Sequence, residues 1–326
     1  MPADLVLEVR DLKTSFQLHK QDYPVLHGVS FEVARHETLC VVGESGCGKS
    51  VMTLSIMGLL PENATVQARS IRLDGQELTG LSPRQMNKVR GRKMGMIFQE
   101  PMTCLNPLLT IGRQMTEGLK LHLGLKRREA EKAALETLKK VGVSNPEERL
   151  RQYPFQLSGG LRQRVMIAMV LSLNPRLLIA DEPTTALDVT IQKQVLLLLR
   201  QLKHQLDAGV LFITHDLGVV AEIADRVIVL YAGVKVEEGA VRRIFERPAH
   251  PYTIGLMAAV PNIKSEGYTL APIPGTPPNI AQQITGCRFH PRCGRATDIC
   301  REQAPALREL APGHSAACHH AGEVSQ

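Results

Sequence analysis

The run Gly43-Glu44-Ser45-Gly46-Cys47-Gly48-Lys49-Ser50 constrains this chain more than any other stretch, because it fits G-x-x-x-x-G-K-[ST]. The apolar segment Thr38–Val42 comes before it as a buried strand, and an apolar helix follows to about Leu60. The glycines let the backbone turn so that successive N–H groups, from Gly43 to Val51, face phosphate oxygens. The helix that begins near Lys49 adds the positive end of its dipole. Lys49 is expected to reach the β- and γ-phosphates, and the Ser50 hydroxyl to ligate Mg²⁺. Cys47 is expected to contribute its backbone rather than its thiol. Kinases, GTPases, helicases and transporters all use such a cradle, so other residues must decide among them.

Size allows one large α/β domain with an appendage, or two modest domains, in 326 residues. With 44% hydrophobic and 22% charged residues, a substantial core is available. There is no Trp and there are only seven Phe and five Tyr, which argues against a base-stacking nucleic-acid platform. The net charge of +7 would suit anionic headgroups or nucleic acid, but the basic residues are scattered and read as a solvated surface. No apolar run reaches the roughly 18–20 residues that span a bilayer; Val195–Leu199 is stopped by Arg200. Asp4, Glu8 and Asp11 stand where a signal peptide would need a basic start and an apolar run. The expected location is therefore cytoplasmic, with any membrane role exercised through partners.

The patterning alternates between strand and helix. Val29, Phe31 and Val33 have strand spacing, and 70–75 and 94–98 read as further strands. Residues 107–173 are helical in pattern, with Ala133, Ala134, Leu138 and Val141 on one face of a helix over Lys126–Val141. Leu177–Ala180 and Val210–Thr214 return to continuous apolar strands, separated by an amphipathic helix over Ile191–Leu206. A hairpin over 226–238 closes at Ala232-Gly233, and a Pro-rich linker at 271–278 leads to a cysteine-bearing tail. The expected fold is a mixed-sheet α/β domain over residues 1–260 with a helical insertion, then an extension over 261–326.

Two further features narrow the chemistry. The strand Leu177–Ala180 delivers Asp181 and Glu182 at its end, where one carboxylate suits a Mg²⁺ ligand and the next a general base. Leu157-Ser158-Gly159-Gly160 opens a long helix, with Ser158 as N-cap and two glycines exposing backbone N–H groups. That makes a second anion-binding helix start in a chain with a single phosphate cradle.

Taken with Gln99 in Phe98-Gln99-Glu100-Pro101, with Ala186-Leu187-Asp188 and with His215 in Thr214-His215-Asp216, these motifs make the chain resemble the nucleotide-binding subunit of an ABC transporter, a P-loop NTPase. The resemblance spans roughly residues 5–260. It implies a head-to-tail dimer in which each ATP lies between one P-loop and the partner's signature helix. It further implies that Gln99 senses Mg²⁺ and the lytic water, that His215 contacts the γ-phosphate, and that Asp188 lines the dimer seam. Tyr23 is expected to stack on adenine, with Pro24 as the competing position. Leu161 follows the signature where many ABC proteins have Gln, so no side-chain hydrogen bond is available there.

Finer resemblance points to the ATP-binding subunits of dipeptide, oligopeptide and nickel importers. It is carried by Met102-Thr103-Cys104-Leu105-Asn106-Pro107, by RVMIAM at 164–169, and by Val189-Thr190-Ile191-Gln192. In the tail it is carried by His250-Pro251-Tyr252-Thr253, Gly275-Thr276-Pro277-Pro278-Asn279 and Gly286-Cys287-Arg288-Phe289-His290-Pro291-Arg292-Cys293. Cys287, Cys293, Cys300 and Cys318 lack the tight C-x₂₋₄-C pair usual for zinc. Wider, unequal spacing on loops suits a [4Fe–4S] cluster, as members of this subfamily carry; structural zinc and free or disulfide thiols remain alternatives.

The resemblance thus implies an ATPase on the cytoplasmic face of the membrane, using ATP and Mg²⁺. Its expected partners are a second, paralogous ATPase subunit, two transmembrane permeases and, indirectly, a substrate-binding protein, with no nucleic acid. Residues from Gln99 through Met115 are the expected permease grip. Peptide cargo is favoured, with nickel as the alternative. A soluble ABC ATPase of DNA repair or chromosome structure is the rival reading, but 107–173 is too short and irregular for its coiled-coil insertion.

Overall fold

The computed structural model describes residues 4–185, 188–259, 273–282 and 284–322. Ala186 and Leu187, and the first two residues of the Pro-rich linker, lie outside the described residues. The chain divides into two compact units that interleave along the sequence. One comprises Met1–Leu7, Val33–Glu37 and Leu73–Phe212; the other comprises Glu8–Glu32, Thr38–Arg72 and Ile213–Gln326.

In the second unit the apolar strand Thr38–Val42 is buried at all five positions. It pairs in parallel with Arg226–Tyr231, Val42 opposite Val229. Burial of both faces explains why neither strand alternates in sequence. Arg226–Tyr231 turns back through Ala232 and Gly233, with φ of 45° and 78°, into the antiparallel strand Val234–Ala240. Two residues at positive φ match the twist of the flanking strands. The expected hairpin is therefore present. In the strands Leu5–Leu18 and Gln21–Ala34, Val29, Phe31 and Val33 all point inward at two-residue spacing.

Two short strands of the tail extend the sheet that holds Val234–Ala240. His314–Ala316 pairs antiparallel with Val234–Ala240, Glu237 opposite Ala316, and Arg308–Ala311 pairs beyond it. Strands this short carry no periodic signature; what defines them is the partner edge, which sequence spacing does not reveal.

In the first unit Met94–Ile97 runs parallel to Leu177–Asp181, Met94 opposite Leu177, with Gly209–Ile213 on the other side. The helical insertion holds Ile111–Leu123, Arg127–Lys140, Pro146–Arg149 and Gly159–Leu171. Thr110 caps the first of these through Arg113 N, and Gly124 ends it at φ 65°. Arg127–Lys140 buries Ala130, Ala134 and Leu138, a stripe at four-residue spacing. The helix Val189–Gln205 follows the carboxylate-bearing strand. Among the described residues no helix is long and apolar enough to cross a membrane.

One buried carboxylate ties the tail down. Glu237, fully buried, accepts hydrogen bonds from Ala249 N and His250 N, both at 2.8 Å, while His314 Nε2 lies 2.7 Å from it. Glu237→Ala would strand two backbone donors and an imidazole in the interior, each costing on the order of 1–3 kcal/mol. The expected loss is about 3 kcal/mol, measured by denaturant unfolding. Amides of 314–316 should lose hydrogen-exchange protection with it.

Candidate active site

The phosphate cradle is built by close backbone approach. A Cβ on Gly43 would sit 2.2 Å from Leu230 O and 2.8 Å from Cys47 Sγ, so only glycine lets the loop leave its strand here. Gly233, at the hairpin turn, donates its N–H to Cys47 O at 2.9 Å, and His27 N donates to Gly233 O at 3.0 Å. A Cβ on Gly233 would meet Val25 O at 1.8 Å. The hairpin turn and the strand carrying Val25 thus clamp the loop from outside.

Lys49 begins the helix Lys49–Met57 and is 5% exposed. Its ammonium donates to Gly43 O at 2.7 Å and Glu44 O at 3.1 Å, closing the loop on itself. Ser50 and Ser45 are on the surface of this element, with Gly46 at its turn. Burial, the largest effect, pushes the Cys47 thiol up, and Lys49 opposes it only in part. The thiol is therefore held protonated. Glu44 donates its N–H to the Tyr252 hydroxyl at 2.8 Å, and its carboxylate takes two bonds from Arg292, at 2.6 and 3.1 Å.

The same unit brings His215 to the cradle. It lines a cavity of about 380 Å³ together with Gly43, Glu44, Ser45, Leu256 and Pro277. Tyr23 is half-buried, its hydroxyl donating to Gln21 Oε1 at 3.2 Å. It lines a cavity of about 140 Å³ with Pro24, Gly46, Asn279 and Arg288. His27 shares this cavity, and burial first, then Arg288, lowers its pKa to about 4.

The other unit assembles the carboxylate end. Asp181 closes its strand at 7% exposure, and Glu182 follows at φ 46°, a left-handed conformation unusual for a non-glycine residue. That turn aims the Glu182 carboxylate at Gln99, whose Nε2 lies 3.3 Å from Oε2; Thr185 Oγ1 donates to the same oxygen at 3.0 Å. Gln99 and Glu182 are 83 residues apart in sequence, and parallel pairing of their strands brings them together. Ser158 caps Gly159–Leu171 through Leu161 N, and a Cβ on Gly160 would press on Ile191 at 3.0 Å. Gln163, 1% exposed, donates to Pro183 O at 2.6 Å and so braces this helix against the Glu182 turn. Asp188 caps the next helix, accepting from Thr190 N and Ile191 N.

The tail thiols Cys287, Cys293, Cys300 and Cys318 are all free. Burial raises the Cys287 thiol to about 11, and the other three add to the effect. Cys287 N donates to Cys300 O at 2.8 Å. Among the described residues, however, no three His, Cys, Asp or Glu side chains stand in a group that could hold a metal ion.

Comparison with known proteins decides the family. Residues 26–185 match the ABC transporter family, and residues 236–300 match the oligopeptide/dipeptide transporter C-terminal region. The chain is 51% identical to a probable peptide ABC transporter ATP-binding protein, y4tR, of Sinorhizobium fredii, over 99% of this chain and 97% of that protein. This chain belongs to the ABC transporter ATP-binding proteins. The oligopeptide transport ATP-binding protein OppD of Salmonella typhimurium is 46% identical, over 97% of this chain and 94% of its own length. The dimeric post-hydrolysis ATP-binding cassette MJ0796 bound to ADP and Pi aligns with a TM-score of 0.65 and 29% identity, over 72% of this chain and 99% of that one. As an ABC ATPase, the chain has the mixed α/β architecture that its motifs predict.

Sequence reasoning missed two neighbours of this ABC cassette's cradle. Tyr252 and Arg292 sit in the HPYT and HPRC stretches, which look like tail markers until the fold places them against Glu44. Gly43→Ala is expected to displace the loop from Leu230 O and to weaken MgATP binding more than tenfold, read by titration calorimetry. Unchanged affinity would contradict the close-approach argument.

Proposed function

We propose that the chain is the ATP-hydrolysing subunit of an importer of dipeptides and oligopeptides, working at the cytoplasmic face of the membrane. The observation that carries hydrolysis is the Gln99–Glu182 pair at the end of the carboxylate strand. Peptide cargo is supported by the full-length relatives, which are named as peptide, oligopeptide and dipeptide transport ATP-binding proteins.

In this reading the Lys49 ammonium and the N–H groups between Gly43 and Val51 bind the phosphates, except that of Glu44, expected from sequence to join them but taken up by the Tyr252 hydroxyl. His215 contacts the γ-phosphate, and Tyr23 stacks on the adenine. Ser50, Asp181 and Gln99 are each proposed as Mg²⁺ ligands, since each offers the oxygen donor that hard cation prefers; when bound, the ion would neutralise phosphate charge. Glu182 accepts a proton from the attacking water, held in place by Gln99 and Thr185. Ser158, Gly159, Gly160 and Asp188 serve the ATP bound by a second subunit, a paralogue of this one. The dimeric assembly of the MJ0796 cassette supports that pairing.

The chain would work with two transmembrane permeases and, through them, a substrate-binding protein. Between Gln99 and Met115 the apolar side chains of Met102 and Leu108 are 48% and 82% exposed, which suits a surface gripping the permeases. In the same reading the ATP-binding part is proposed over 1–260 and the tail over 261–326. Glu182→Gln is expected to retain MgATP binding and to lose turnover by at least about a hundredfold; turnover near wild type in the assembled transporter would remove Glu182 from the base role.

The four tail thiols are proposed to ligate a [4Fe–4S] cluster that, when bound, crosslinks the loops of the tail. The Cys287–Cys300 backbone bond brings two of these residues together, and a shared site requires the loops to draw closer than in the arrangement described. Protein purified without oxygen should contain about four iron atoms per chain and absorb broadly near 400 nm. Zinc in place of iron, or neither, would set the cluster aside.

A further inference from the structure

We propose that the C-terminal region supplies positioning residues for the phosphate cradle, with Arg292 neutralising Glu44 and Tyr252 fixing its backbone; this rests on the reading of Gly43–Ser50 as an ATP site. Both residues lie outside 26–185 and inside 236–300, the part matched to the oligopeptide/dipeptide transporter C-terminal region.

Glu44 is the first variable residue of the cradle, and every polar group on it has a partner. Its N–H goes to the Tyr252 hydroxyl, its carbonyl takes Lys49, and its carboxylate takes both arms of Arg292. The Arg292 side chain is 4% exposed and that of Glu44 27%. Arg292 is itself pinned, with Nε donating to Pro274 O at 2.9 Å. Its guanidinium lies 5.8 Å from the Tyr231 ring centre and 6.0 Å from that of Phe289. Tyr231, Tyr252 and Phe289 pack on one another, with centroids 4.6 to 5.4 Å apart. The bidentate pair therefore rests on a rigid aromatic base that spans the strand Arg226–Tyr231 and the tail.

The electrostatic consequence is specific. A carboxylate inside a loop built to hold triphosphate opposes its ligand, and the opposition is strong where water is scarce. Arg292 cancels that charge without occupying the cradle, because its fork is spent on the Glu44 carboxylate. Tyr252 stays protonated, since burial raises its pKa, and its oxygen accepts the Glu44 N–H. The Glu44 carboxylate and Arg292 are thereby neutral in sum.

The test compares MgATP binding by the full chain, by calorimetry, with steady-state ATPase kinetics. Arg292→Gln should raise Kd and KM for MgATP about tenfold, the equivalent of roughly 1.4 kcal/mol. Its kcat should stay within about threefold, because Arg292 acts on the charge of Glu44 and not on the general base. Arg292→Gln combined with Glu44→Gln should bring Kd back to within about threefold of the wild type, which a merely structural role for Arg292 would not do. Arg292→Lys should fall between, and Tyr252→Phe should raise Kd about threefold while keeping the ring. If Arg292→Gln does not fold, those two variants carry the test. Wild-type affinity in Arg292→Gln, or in both of the milder variants, overturns the proposal. So does a double variant as weak as Arg292→Gln alone. Wild-type protein that fails to bind MgATP would instead sink the ATP-site reading on which the proposal rests.

Discussion

The backbone oxygen of Leu230 lies where a side chain at position 43 would have to be. From that contact the rest of the cradle follows. The loop leaves Thr38–Val42 hard against the neighbouring strand, the hairpin turn at Gly233 holds Cys47 from outside, and Lys49 closes the ring on Gly43 and Glu44. A loop held in this way presents its N–H groups in a fixed array, so little ordering remains when phosphate binds. Such preorganisation is where most of the electrostatic benefit of an anion site lies.

The carboxylate end is organised by strain rather than by close packing. Glu182 takes a left-handed backbone that costs on the order of 1 kcal/mol for a non-glycine residue. Gln99, Thr185 and the Gln163–Pro183 bond hold it there. The buried strand behind it cannot yield, because Leu177–Asp181 has no exposed position. An unusual backbone at the end of a rigid strand is a sound place for a residue whose orientation matters more than its reach.

Much of this was legible in the order of residues. Periodicity separates the continuous apolar strands from the helix face of Ala134, Leu138 and Val141, although the structure buries Ala130 where the spacing named Ala133; the Gly-rich loop, the Asp181–Glu182 pair and the Ser158 cap each carry a local physical reason for their residue types. The hairpin turn at Ala232-Gly233 is likewise a local matter of backbone conformation. The tail was not legible in this way. His314–Ala316 is three residues long, and the fully buried carboxylate that anchors it, Glu237, lies 77 residues away in sequence.

The sequence by itself determined the Gly-rich loop, the carboxylate pair at a strand end and the capped helix start, and which elements would carry them. Each of these rests on interactions within a few positions along the chain. Only the tertiary structure decided that Gln99 meets Glu182, that His215 lines the cavity at the cradle, and that Arg292 reaches Glu44 from 248 residues away. Those pairings depend on which strands lie side by side and which edges the tail covers. Burial of apolar surface sets that arrangement across the whole fold, and no local pattern encodes it.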